Sequence, residues 1–187
     1  MTYILASASP RRKELLELAG LPFMVHVSHA EEILPPGLAP AQCAEHLASI
    51  KANAAAQNFQ TACIIAADTI VVIDGAILGK PKDAADAARM LRLLSGREHT
   101  VITGVCLLNT ATAQQNIFSQ ETAVRFYPLG DEEIEAYVRT GEPMDKAGAY
   151  GIQGKGALLV ESITGDYCNV VGLPLARLMR ELRINEK

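Results

Sequence analysis

Between Cys63 and Ile73 the chain reads CIIAADTIVVI, an apolar run broken by a single acid, Asp68. Ile64 to Ala67 and Ile70 to Ile73 are small or β-branched, which predicts one continuous buried strand. Asp74-Gly75 is a two-residue turn signal that folds this strand back onto Ala76 to Leu78. The carboxylate of Asp68 therefore belongs to a core strand, where an ionised acid is costly unless a cation, a metal or several donors meet it. The alternative is an aspartate at a bulge or strand end, bonded to backbone amides. Either way, the rest of the chain has to supply partners for this residue.

Partners must come from local charge. The 187 residues carry a formal charge of −4, with a pI near 5.6. This balance gives no general attraction to nucleic acid or acidic membranes, so no stable nucleic-acid complex is expected and any anion must be held by a few placed cations. With 49% hydrophobic and 20% charged residues, the composition is that of a globular protein. The length suits one domain over residues 1–187, built as two lobes. Cys43, Cys63, Cys106 and Cys168 show no CxxC pairing, which argues against structural zinc and for reduced thiols. No apolar run approaches the ~20 residues of a membrane span. The opening Tyr3 to Ala6 is too short for a signal-peptide core, so a cytoplasmic location is expected.

Along the chain, Thr2 to Ala6 reads as a first strand and Ser9-Pro10 as the N-cap and first position of a helix to about Ala19, with Leu15, Leu18 and Ala19 inward. Arg11 and Arg12 fall in its first turn, where the helix dipole disfavours cations. A bound anion would resolve this, because a strand, a small-residue turn and a helix N-terminus form a phosphate cradle. A pair of solvated surface arginines is the plainer reading. His26 and His29 are read as structural or surface residues. A second helix runs from Pro40 to about Phe59 with Leu47, Ile50 and Ala54 inward, which leaves Lys51 at the edge of the apolar stripe.

Lys80 ends the hairpin, and Asp83 caps a helix over Ala84 to Leu94. Thr100 to Leu108 and Ile117 to Tyr127 predict an antiparallel pair, followed by a helix capped by Asp131. Gly141 to Gly156 is a glycine-rich loop suited to close approach of a ligand, with Asp145, Lys146 and Gln153 as polar handles, or else a plain flexible loop. A late strand over Ala157 to Ile163 and a terminal helix from Pro174 to about Leu182 complete the chain. Strands alternating with helices, plus two hairpins, predict an α/β fold: an elongated mixed β-sheet flanked by helices, with two lobes around a cleft.

Several segments in this order resemble the Maf-like nucleoside triphosphate pyrophosphatases, a family linked by name to inhibition of septum formation. They are LASASPRR at Leu5 to Arg12, LASIKA at Leu47 to Ala52, AADTIV at Ala66 to Val71, LGKP at Leu78 to Pro81, SGREHTVITGV at Ser95 to Val105, EPMDKAGAYGIQG at Glu142 to Gly154 and VVGLPL at Val170 to Leu175. The DKAGAYGIQG form is similar to the subgroup acting on dTTP and UTP. One departure is His29-Ala30-Glu31-Glu32, where relatives carry more acids before the final Glu.

The resemblance implies a fold like that of inosine triphosphatases. It also implies hydrolysis of the α–β phosphoanhydride, giving a nucleoside monophosphate and pyrophosphate with help from Mg or Mn. By the same resemblance Asp68 matches the proton acceptor. Ser7, Arg11, Arg12, Glu32, Lys51 and Lys80 match polar residues of the site, and Arg12, Thr69 and Gln153 match positions tied to base specificity. Sequence leaves open whether Asp68 takes a proton from water or holds the metal; Glu32 is the next metal ligand expected. A homodimer is also left open.

Two non-enzymatic readings compete. A division-regulating protein would bind a partner through exposed apolar or aromatic anchors, which are scarce here, and a nucleic-acid module would show a net basic face.

Overall fold

A computed structural model describes residues 1–27 and 30–185. The described elements are β1 (Tyr3–Leu5), α1 (Pro10–Leu18), β2 (Phe23–Val25), α2 (Pro40–Ala56), β3 (Cys63–Ile73), β4 (Ala76–Leu78), α3 (Ala84–Leu94), β5 (Glu98–Asn109), β6 (Gln115–Phe126), α4 (Asp131–Val138), β7 (Val160–Thr164), α5 (Tyr167–Val171) and α6 (Leu175–Asn185). Tight turns over Glu142–Asp145, Ala147–Ala149 and Gly154–Leu159 fill the segment between α4 and β7.

The strands form one 7-stranded sheet in the order β2-β1-β3-β5-β6-β7, with β4 paired to β3. β1 runs parallel to β2 and to β3, whereas β4 is antiparallel to β3 and β7 antiparallel to β6. The connection from β5 to β6 is too short for a parallel crossover and closes a hairpin. The expected mixed sheet with helices is thus observed. Among the described residues no helix is long and apolar enough to cross a membrane. All four cysteines are free, and burial pushes the Cys106 thiol up to about 12.

The chain folds as two compact units. The first takes residues 1–68, 103–120 and the chain from Gly172 onward; the second takes residues 69–102 and 121–171. In the first, Ile4 and Ala6 of β1, Ile64 and Ala66 of β3, and Cys106 and Leu108 of β5 pack against Ala48, Ala52 and Ala55 of α2. This helix seats closely because β5 carries a glycine under it. A Cβ on Gly104 would lie 2.2 Å from the carbonyl carbon of Ala44.

That close seating explains why the expected inward row on α2 is only partly right. Leu47 is buried, but Ile50 and Ala54 are partly exposed, and Cys43, Ala44, Ala48, Ala52 and Ala55 form the rest of the inner face. On α1 the buried residues are Leu15 and Leu16, while Leu18 is 77% exposed. Ser9 holds the N-cap position without capping through its side chain; its own N–H donates instead to Ser7 Oγ at 3.1 Å.

In the second unit the β3–β4 hairpin turns at Asp74 and Gly75, both left-handed, with φ of 51° and 75°. The Asp83 carboxylate caps α3 by accepting from the Asp86 N–H at 2.8 Å. The core gathers Val71 and Ile73 of β3, Leu91 and Leu94 of α3, Val124 and Phe126 of β6 and Ile134 of α4. Two expectations shift. Gly130, not Asp131, precedes the first turn of α4, and the last strand begins at Val160 because residues 154–159 coil tightly; the short elements β2 and α5 are additions.

Candidate active site

β1 delivers the chain into the small-residue turn before α1, tied at its start by the Ala6 N–H donating to the Ile65 carbonyl at 2.8 Å. Arg12, on the first turn of α1, is then aimed by two acceptors. Its Nε donates to the Gly172 carbonyl at 2.8 Å and its Nη1 to Ser7 Oγ at 3.3 Å. Burial lowers the Arg12 pKa, the Asp68 carboxylate opposes that shift, and the neighbouring Arg11 adds to it. An arginine in such surroundings stays protonated, so Arg12 is a fixed cation facing the Asp68 charge.

Asp68 lies inside β3 with its side chain 14% exposed, and the partner its burial calls for is Lys51 of α2. The Lys51 ammonium donates to Asp68 Oδ1, and it also stands 3.1 Å from Glu32 Oε1. Two carboxylates from distant parts of the chain thus converge on one cationic atom. The stripe-edge position of Lys51 is what lets it reach inward, where its side chain is 17% exposed.

Ser7, Arg12, Glu32, Lys51 and Asp68 are accordingly brought together within the first unit, with Arg11 on the same turn as Arg12. Thr69, Lys80 and Gln153 belong to the second unit. Thr69 is half-buried directly after Asp68, Lys80 is exposed just beyond β4, and Gln153 is half-buried at the start of the 154–159 turn.

A family model described as Maf-like protein matches residues 2–184. The chain belongs to the Maf-like family.

A protein named dTTP/UTP pyrophosphatase from Bacillus cytotoxicus is 54% identical over 181 residues, which are 97% of this chain and 94% of that one. One of the same name from Geobacillus sp. is 53% identical over 180 residues, 96% of each, and one from Moorella thermoacetica is 53% identical over 181 residues, 97% of this chain and 93% of that one. Among solved structures, the Ham1 protein of Staphylococcus aureus superposes over 100% of both chains with a TM-score of 0.58 at 16% identity, a likeness of fold.

In this Maf-like chain the Glu32–Asp68 pair is the donor set suited to a hard divalent cation. Magnesium takes a small number of carboxylates together with substrate oxygens, and two carboxylates already meeting around one ammonium fit that requirement. No group of three or more His, Cys, Asp and Glu residues is gathered for a metal among the described residues.

Two of the three polar residues expected of the glycine-rich segment are bonded within it: Lys146 Nζ donates to Asp145 Oδ1 at 2.6 Å and to the Glu142 carbonyl at 2.5 Å. His26 is structural, edge-on to Phe59 with ring centroids 5.3 Å apart, and His29 lies outside the described residues.

Sequence reasoning misses the Gly172 carbonyl, because a backbone acceptor carries no residue signature. It also misses His99, buried on β5 with Nε2 at 2.8 Å from the Tyr150 hydroxyl. A lone histidine in an apolar strand, with an aromatic in the glycine-rich segment, is the available signal.

Proposed function

We propose that this chain hydrolyses dTTP and UTP to the nucleoside monophosphate and pyrophosphate. The observation that carries the reading is the convergence of Glu32 and the half-buried Asp68 on Lys51, beside the oriented Arg12, in a chain more than half identical to proteins named for that activity.

The substrate brings about four negative charges, and Arg11, Arg12, Lys51 and Lys80 are the cations assigned to it. Arg12 is oriented before substrate arrives, since its bonds to the Gly172 carbonyl and Ser7 Oγ already fix the plane of its guanidinium. Ser7 also keeps the turn before α1 in shape, and that helix N-terminus favours an anion. Asp68 serves as proton acceptor for the attacking water. Its Oδ1 accepts a hydrogen bond from Lys51, so the ammonium must move toward the phosphates before that oxygen can take a proton. Glu32 and Asp68 are the residues that would hold a divalent cation, Mg or Mn, which when bound neutralises charge developing on the phosphate oxygens. Gln153 offers a donor and an acceptor to the alternating carbonyl and imide edge of thymine or uracil, with Thr69 and Arg12 completing base selection. Cytosine reverses part of that edge.

Incubated with magnesium and dTTP, the purified protein should release thymidine monophosphate and pyrophosphate in equal amounts, with nothing comparable from dTDP. Chelator should abolish the release. Diphosphate with orthophosphate among the products would show that a different bond is cut.

A further inference from the structure

The segment carrying Gln153 is held from three sides by residues to which the reaction gives no role. On its N-terminal side, the Gly151 N–H donates to the Tyr137 hydroxyl of α4 at 3.3 Å. On its C-terminal side, the Lys155 N–H donates to both carboxylate oxygens of Glu142, at 3.3 and 3.2 Å. Just upstream, the Tyr150 hydroxyl meets His99 Nε2 at 2.8 Å, and Phe126 packs edge-on against both rings with centroids 4.6 and 5.0 Å away.

The chain doubles back on itself to make this shape. A Cβ at Gly156 would fall 2.1 Å from the Gly151 carbonyl oxygen and 2.7 Å from the Tyr137 hydroxyl, so only glycine lets the two arms of the loop touch. The Lys146 stem lies across Gly151, where a Cβ would meet Cε at 2.8 Å. Gln153 therefore sits at the apex of a clamped arch over residues 151–155, and among the described residues its side-chain amide takes part in no hydrogen bond. An amide whose backbone is fixed on both sides while its own donor and acceptor stay unspent is preorganised for a ligand edge.

We infer that Tyr137 and Glu142 are positioning residues for base specificity, acting by holding Gln153 in register with the pyrimidine edge; this rests on the reading that Gln153 contacts the base. The clamp explains why a glycine-rich loop can discriminate between bases. Hydrogen-bonding sites reject mismatches strongly only when the groups cannot move to accommodate them. Both residues bond the backbone that flanks Gln153, so their effect is expected in recognition and not in turnover.

The test is kcat and KM for UTP and CTP in wild type, Tyr137→Phe, Glu142→Gln, Gln153→Ala and the double variant Tyr137→Phe/Gln153→Ala. Tyr137→Phe deletes one oxygen and keeps the ring that packs in the core. The expected result is a UTP-over-CTP preference reduced about tenfold in each single variant, mostly through KM for UTP. The double variant should be no worse than Gln153→Ala alone, the signature of two residues acting as one unit. A fall in activity by the same factor on both nucleotides, accompanied by a lower Tm, would mean that Tyr137 and Glu142 merely stabilise the fold and would overturn the inference. Loss of preference in Gln153→Ala with none in the clamp variants would overturn it while leaving base reading by Gln153 intact. An unchanged preference in Gln153→Ala would remove both.

Discussion

Replacing Asp68 by asparagine lowers turnover at least ~10²-fold, about 2.7 kcal/mol of transition-state stabilisation and the scale of losing a general base. The fold should survive, for a structural reason. Asparagine keeps the shape of the side chain and one oxygen facing Lys51, and Lys51 retains its ion pair with Glu32 at 3.1 Å. Affinity for the nucleotide should change little, because Arg12 keeps its bonds to the Gly172 carbonyl and Ser7 Oγ and the cations proposed to hold the phosphates are untouched. The check is single-turnover and steady-state hydrolysis of dTTP beside a denaturation curve. Activity near wild type would return Asp68 to the status of a structural carboxylate whose only role is to pair with Lys51.

Mild acid should weaken the second unit through His99. Burial depresses the pKa of His99 to about 4, so the native state keeps this ring neutral. In the unfolded chain a histidine titrates near 6.5. Between those values the unfolded state binds the extra proton, so stability falls as pH falls from about 6.5 to about 4 and is level with respect to this group above and below that window. The whole step is worth about 3 kcal/mol. Asp86 acts lower down: the Lys82 N–H and then Arg89 hold its carboxylate below the ordinary range, so its contribution is lost only as the pH falls through that lowered value. Urea unfolding at pH 7 and pH 4.5 should show His99→Gln losing less stability than wild type by about 2 to 3 kcal/mol. Equal losses in the two proteins would place the acid sensitivity elsewhere.

Asp68 is legible in the sequence because it violates the hydrophobic logic of its own strand, and such violations mark places where function overrides packing. The β3–β4 hairpin is equally legible, since Asp74-Gly75 admits few other geometries, and so is α3, since Asp83 stands where a capping carboxylate is needed. The failures have a common physical origin. Periodicity misjudges the inward face of α2 because burial there follows close approach of alanines to Gly104, not the placement of large side chains. The same periodicity puts Leu18 inward, but α1 ends at that residue and leaves it exposed. Composition makes the glycine-rich segment look open to a ligand, yet its glycines mostly let the chain approach itself. Gly172 contributes a carbonyl, and no residue type announces that. At the candidate site, the separate residues are proposed through the family resemblance; that Lys51 bridges Glu32 and Asp68 depends on long-range folding, which no local pattern encodes.

The most direct test of the central claim is pyrophosphate release measured as kcat/KM for dTTP, UTP, CTP, dATP and GTP under one set of magnesium conditions. Tolerance of ribose and deoxyribose follows if the protein holds base and phosphates, so dTTP and UTP should stand together at the top, with CTP below them and the purine nucleotides excluded by size. Equal values across the five nucleotides, or a purine in first place, would contradict it.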